Sequence, residues 1–280
     1  CMSETRVAQS DLTLTASGML CEADRFSRRP LTQALSAALL IAPAAASAAT
    51  IQVTSNSNGP GAPGQCTLRS AVYAIGSGAT NSACSTATGT FGTADTITFA
   101  AGITLINFDS YGGGITTPSN RAMTIQGTGF GGVTLQRTSS ASTAFPIVRA
   151  ANCGVQLTLD GLTIEGGAGS GGVYGQCYGG NISINNSVIR NNSSSGWGGG
   201  VSGYGGRITI SNSTISGNTS GGNGGGVSAD GAFDISNSTI SGNTAVNWGG
   251  GAALNAWVGS ASRVVNSTIS GNTVGNYGAG

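Results

Sequence analysis

Apolar positions in the second half of the chain come in short alternating groups and recur at a near-constant interval. Ile210-Ser211-Asn212-Ser213-Thr214-Ile215-Ser216-Gly217-Asn218-Thr219 repeats unchanged at 235–244 and returns with two substitutions at 264–273. Weaker copies lie at 184–192 and 159–167. The equivalent positions 161, 186, 212, 237 and 266 are 25, 26, 25 and 29 residues apart. Six residues after each of Asn192, Asn218, Asn243 and Asn272 stands a glycine: Gly198, Gly224, Gly249 and Gly278.

Each unit holds three strand-like segments, for instance Ile208-Thr209-Ile210, Ser213-Thr214-Ile215 and Gly226-Val227-Ser228. Asn and Gly separate them, and both tolerate the left-handed backbone of a tight bend. No unit carries ten residues of helical period, which argues against helical and leucine-rich repeats. A single unit cannot bury its apolar residues, but stacked units can, each pairing its backbone with neighbours ~4.8 Å away. The pattern therefore predicts an all-β fold, a parallel β-helix, right-handed by the general crossover preference.

Stacking predicts columns. Ile164, Ile189, Ile215, Ile240 and Ile269 form one interior column, and Leu159, Ile184, Ile210, Ile235 and Val264 a second. Leu157, Ile182, Ile208 and Phe233 form a third that ends at Ser262. Asn192, Asn218, Asn243 and Asn272 are expected to stack at one bend as an asparagine ladder. Residues 49–120 lack the period. They read as an N-terminal cap, with a short amphipathic helix at 68–75 covering the open edge of the solenoid. Residues 121–280 read as the repeats. They have room for about six coils, a rod ~30 Å long. The chain stops partway through a unit, so a C-terminal continuation with an outer-membrane anchor is expected.

Composition narrows the chemistry. Of 280 residues, 49 are Gly and 21 are charged, and there is no His and no Lys. That excludes His triads, His metal sites, Schiff-base lysines and a P-loop lysine. A net charge of +1 without a basic cluster argues against nucleic acid as a partner.

The beginning of the chain reads as an address. Arg25, Arg28 and Arg29 precede an apolar run over 31–46 that ends in Ala46-Ser47-Ala48. This is the layout of a secretory signal peptide, with cleavage expected after Ala48. Residues 1–24 fit no part of it and read as a spurious extension, with Met19 a reasonable start. Export leaves Cys66, Cys84, Cys153 and Cys177 in a compartment that permits disulfides. Three connectivities are possible. Cys153 and Cys177 hold nearly the same place on successive units, which favours Cys153–Cys177 together with Cys66–Cys84.

The order Thr50-Ile51-Gln52-Val53, Cys66-Thr67-Leu68-Arg69-Ser70-Ala71, Asp95-Thr96-Ile97-Thr98-Phe99, Met123-Thr124-Ile125-Gln126-Gly127 and Leu157 through Ile164 resembles the CSLREA-domain proteins, exported bacterial β-helix proteins. The match departs at Thr67 and Ser70, where the family has Ser and Glu. Loss of that glutamate leaves Arg69 without its usual local partner, and Asp95 is a candidate replacement. The repeats after 190 are similar to those of polymorphic outer-membrane proteins and autotransporter passengers, with Ile in place of Phe in the F-x-x-N motif. These resemblances imply the β-helix and export to the cell surface, and they imply no particular reaction.

Polysaccharide-cleaving β-helices need acids gathered on one face. After residue 48 the acids are Asp95, Asp109, Asp160, Glu165, Asp230 and Asp234. Asp160 and Glu165 flank a bend and are expected on different faces. Asp230 and Asp234, with Arg207 one unit earlier, are the best catalytic candidates, but two acids do not make a metal cage. The more informative surface feature is aromatic. Trp197, Trp248 and Tyr277 precede glycine clusters at one position of the unit, with Asn223 as a gap, and are expected to form a column able to stack on sugar rings or anchor a protein. The alternative is that they only shield the glycines beside them. The sequence thus points to a non-enzymatic bacterial surface rod, an adhesin or passenger, without cofactor or metal. Surface glycans or cell-surface proteins are its expected partners. A carbohydrate-binding β-helix and a polysaccharide lyase or hydrolase are the alternatives.

Overall fold

A computed structural model describes residues 47–276 except 93, 111, 152, 153, 155, 177 and 255–260. The signal-peptide run, Cys153, Cys177 and Tyr277 therefore lie outside the described residues.

The described chain is an all-β solenoid of parallel sheets. Eight strands make the first sheet: Thr50–Val53, Asp95–Phe99, Met123–Gln126, Gln156–Asp160, Asn181–Asn185, Arg207–Ser211, Ala232–Ser236 and Arg263–Val265. The second sheet has seven strands, from Leu105–Phe108 to Thr268–Ser270. The third has six, from Ile115–Thr116 to Ala252–Leu254. A fourth, narrow sheet of four strands begins at Ser193–Ser194 and ends at Thr273–Val274.

Register follows the repeat. Ile184 pairs with Leu159 and Ile210, and Ile210 with Ile235. Ile189 pairs with Ile164 and Ile215, and Ile215 with Ile240. Alternation points these side chains inward, and all are buried in one continuous core. Val264 and Ile269, on strands with no further neighbour among those described, are exposed.

One repeated bend fixes a corner. Asn186, Asn212, Asn237 and Asn266 all adopt φ 48° after the first-sheet strands, a left-handed corner that Asn tolerates. The next residues, Ser187, Ser213, Ser238 and Ser267, form a polar ladder. The Ser213 hydroxyl donates to the Ser211 carbonyl (2.7 Å) and accepts from the Ser187 N–H (3.1 Å), and Ser238 does the same one turn later. This ladder satisfies buried backbone groups at a corner where sheet pairing is interrupted.

The parallel first sheet reaches back to Thr50, so the ladder begins well before residue 121. Pairing of Ile51 with Ile97 and of Ile97 with Ile125 needs no sequence repeat, because the connections between these strands differ in length. The helix Leu68–Ser77 lies in this first part. Thr67 caps it by accepting the Ser70 N–H, and Gly78 ends it at φ 70°. Its Leu68, Ala71, Val72, Ala74 and Ile75 join the solenoid core. A disulfide joins Cys66 to Cys84, with Cα atoms 4.5 Å apart.

Arg69 does not pair with Asp95. Its guanidinium donates to the carbonyls of Asn58, Gly113 and Gly114 and to the Asn58 side chain, tying the helix to the strand that begins at Ile115. Asp95 is buried elsewhere. It accepts the N–H groups of Ala49 (2.9 Å) and Gly92 (3.0 Å), and its nearest cation is Arg121 at 4.0 Å.

Candidate functional site

The outward positions of the third sheet line up as Thr116, Arg149, Tyr174, Ser202, Ser228 and Ala253. Ser202 and Ser228 are covered although they point outward. The glycine clusters explain why. The chain from the fourth sheet folds back over the third, and a Cβ on Gly198 would lie 2.6 Å from Ser202 Cβ. A Cβ on Gly224 would lie 2.9 Å from Ser228 Cβ. Only glycine lets the overhang pass so close.

The overhang starts with the fourth sheet, at Ser193–Ser194. One turn earlier the connection to Val173–Gly175 is short, and Tyr174 is left partly uncovered. The step between the two turns is a cleft of about 240 Å³ lined by Tyr174, Trp197, Tyr204, Ser170, Ser195 and Ser202, among others. Tyr204 stands between the other two rings. It meets Tyr174 edge-on at 6.3 Å and Trp197 at a tilt at 6.1 Å. Burial chiefly, with Tyr174, Asp230 and Tyr178 nearby, pushes the Tyr204 hydroxyl above its ordinary pKa, so it stays a neutral donor at physiological pH.

The cleft continues toward the N-terminal end. The Arg149 guanidinium stacks over Tyr174 at 5.7 Å and donates to Gln176 Oε1 at 3.3 Å. Arg149 and Thr116 line an adjoining cleft of about 260 Å³, with Phe145 and Pro146. Thr116 is shared with a third cleft of about 500 Å³ that contains Tyr73 and Pro118. The three follow one another along the stacking direction, because Thr116, Arg149 and Tyr174 are register partners on successive strands.

Of the aromatic residues expected as a column, Trp197 belongs to the cleft. It is 41% exposed, and its Cδ1 lies 2.7 Å from where a Gly222 Cβ would be, so its ring also covers the next turn. Trp248 is 53% exposed and does not line this cleft, while Asn223 is buried. Tyr174 and Tyr204 escaped the sequence reading because neither recurs in the repeat. The only signal was that both flank glycine in the third segment of the unit.

Asn192, Asn218, Asn243 and Asn272 stack inside the wall. Each side-chain amide donates to the next carboxamide oxygen at 2.9–3.0 Å, Asn192 to Asn218, Asn218 to Asn243 and Asn243 to Asn272. They are buried and hold structure, with no face toward a ligand.

The acids are dispersed. Glu165 pairs with Arg190 at 2.6 Å, Asp160 accepts from Asn186 at 2.8 Å, and Asp234 pairs with Arg207 at 2.5 Å. Asp160 and Glu165 end strands of different sheets. Among the described residues no three His, Cys, Asp or Glu side chains gather as metal ligands. What the cleft can do chemically is stack flat apolar faces against three rings and exchange hydrogen bonds with hydroxyls and backbone.

Comparison of the chain with protein-family models, with curated proteins and with solved structures finds no match.

Proposed function

We propose that the chain is an exported bacterial surface rod, non-enzymatic, of the kind its resemblance to CSLREA-domain and passenger proteins implies, and that it binds surface carbohydrate. The observation that carries the reading is the step at Tyr174, Trp197 and Tyr204. Three rings on neighbouring turns surround a cleft edged by serine hydroxyls. Sugars present flat C–H faces and a rim of hydroxyls, and this surface supplies a partner for each. The adjoining clefts past Arg149 and Thr116 suit a linear glycan lying along the rod, one strand spacing per turn being about the length of a sugar residue.

Polysaccharide cleavage gains no support from the geometry. Its best residues were Asp230, Asp234 and Arg207, and Arg207 and Asp234 pair with each other. An adhesin that grips a protein through the same rings remains the neighbouring reading.

The test is a glycan-array screen of the protein, followed by product analysis of every glycan bound. Binding without cleavage, lost in Tyr174→Ala with Trp197→Ala and kept in Trp248→Ala, is the expected result. Cleavage of a bound glycan would overturn the non-enzymatic reading. Silence on the array, with binding to a cell-surface protein instead, would overturn the carbohydrate.

A further inference from the structure

Asp95 has a peculiar set of partners. Its carboxylate is fully buried, at 0% exposure, on the first residue of a sheet strand. It accepts two backbone N–H groups, from Gly92 and from Ala49, and Ala49 is itself fully buried. The nearest cation, Arg121, stands 4.0 Å away, and its Nη1 donates instead to the Gly92 carbonyl. A buried carboxylate held mainly by neutral donors bears a large desolvation cost that a close cation would offset.

Ala49 is also the residue that follows Ala46-Ser47-Ala48. We propose that Asp95 is the built-in receptor for the new N-terminus made when the leader is removed after Ala48. This rests on the reading of residues 25–48 as a signal peptide. Cleavage by a leader-processing endopeptidase hydrolyses the Ala48–Ala49 peptide bond. Water gives its hydroxyl to the Ala48 carboxyl and a proton to the Ala49 nitrogen, and the amine takes a second proton from solvent. The atom now 2.9 Å from Asp95 Oδ1 then carries a full positive charge. An amide contact becomes a charge-assisted one inside the protein, in a place where such bonds are strongest.

The geometry fits the exchange. The Ala49 carbonyl accepts the Thr96 N–H at 2.8 Å and the next residues enter the first sheet, so the nitrogen is held in place from its C-terminal side. The contacts that cleavage would remove are the Ala48 bridge to Thr90 and the Thr90 N–H to the Ser47 carbonyl. Cleavage must precede folding, because Ala49 is inaccessible afterwards. The ion pair therefore rewards the correctly processed chain, and a leader cut one residue early or late presents its ammonium at the wrong place.

The composition makes the test unusually clean, because the chain contains no lysine and the α-amine is its sole primary amine. The chain with its leader is expressed in an exporting bacterium and the product is analysed by N-terminal sequencing and intact mass. A start at Ala49 is expected, and any other start overturns the leader reading on its own. The exported protein is then treated with an N-hydroxysuccinimide ester, folded and in denaturant. Acylation of the folded protein is expected to be slower by about tenfold for each pKa unit the carboxylate adds to the amine, and slower again through burial. Equal rates in the two states would overturn the pairing even with the start at Ala49. Asp95→Asn supplies a second reading. If it folds, its amine labels faster than the wild type's. If it does not fold, the wild-type comparison still decides.

Discussion

The Asn218 side chain donates to Asn243 Oδ1 at 2.9 Å and to the Ile189 carbonyl at 3.0 Å, while its own Oδ1 accepts both the backbone and side-chain N–H of Asn192 at 3.0 Å. All four hydrogen bonds are buried, and Asn218 is 0% exposed. Asn218→Ala would leave the Asn192 N–H without its acceptor and would remove one bond each from the Ile189 carbonyl, the Asn192 amide and the Asn243 carboxamide oxygen. The expected loss is about 2–4 kcal/mol of unfolding free energy. Asn218→Asp should cost more, because it turns the donor to Asn243 Oδ1 into an acceptor and buries a charge. Urea unfolding followed by circular dichroism measures both. A loss within error for either variant would mean that the ladder is ornamental.

Gly200 should tolerate no side chain. Its Cβ would stand 2.6 Å from the Gly226 carbonyl oxygen and 3.0 Å from Asn218 Nδ2. Both obstacles are fixed by the stack, one as backbone and the other as a ladder rung, so neither can swing aside. Gly200→Ala is expected to destabilise by about 1–3 kcal/mol, the usual range for overpacking. Gly196→Ala is the control, since nothing lies within 4 Å of its Cβ position. Thermal melts of the two variants should separate clearly, and similar melts would contradict the close approach.

These two columns show what the chain writes openly and what it conceals. Asn218 and Ile215 announce themselves because a stack needs the same residue at the same place on every turn, and a ten-residue block repeated without change reveals that need. Ser213 stood in the same block and its ladder went unread, because a serine beside an Asn corner also suits a solvated turn. The first two strands, Thr50–Val53 and Asp95–Phe99, look like part of a cap in the sequence, since backbone pairing leaves no period when the connections vary. The partners of Arg69 are hidden for a related reason. Charge suggested Asp95, but three carbonyls closed around the guanidinium, and backbone acceptors are invisible in sequence. The cleft is hardest to foresee, because it arises where the repeat changes. Tyr174 and Tyr204 meet only because the overhang begins between them.

The disulfide should act at one end of the molecule. Cys66 and Cys84 are 18 residues apart and clasp the segment containing the helix Leu68–Ser77. Closing a loop of that length stabilises by about 3 kcal/mol in the chain-entropy account. Paired Cys66→Ala and Cys84→Ala substitutions should therefore loosen the helix and the first strand while leaving the Asn ladder intact. Hydrogen exchange resolves the two regions. Protection lost around Val72 and kept around Ile215 is expected, and a uniform loss would show that the two ends fold as one unit.

Tyr204 gives the cleft a pH signature. Burial, then Tyr174, Asp230 and Tyr178, raises its hydroxyl above the ordinary value of 10.0. In the unfolded chain the same hydroxyl ionises near that ordinary value, so the unfolded state releases its proton first as the pH climbs. Below pH 10 the two states are equally protonated at this group and it makes no difference to stability. Above pH 10 the unfolded state gains, and stability falls until the folded hydroxyl also ionises. Tyr204→Phe removes that dependence. Phenolate absorbance of the folded protein should show a component that titrates above the ordinary tyrosine range, and the variant should lack it. The variant's unfolding free energy should also fall less steeply with pH in the alkaline range. A late titration that persisted in Tyr204→Phe would show that the raised hydroxyl is not the one at Tyr204.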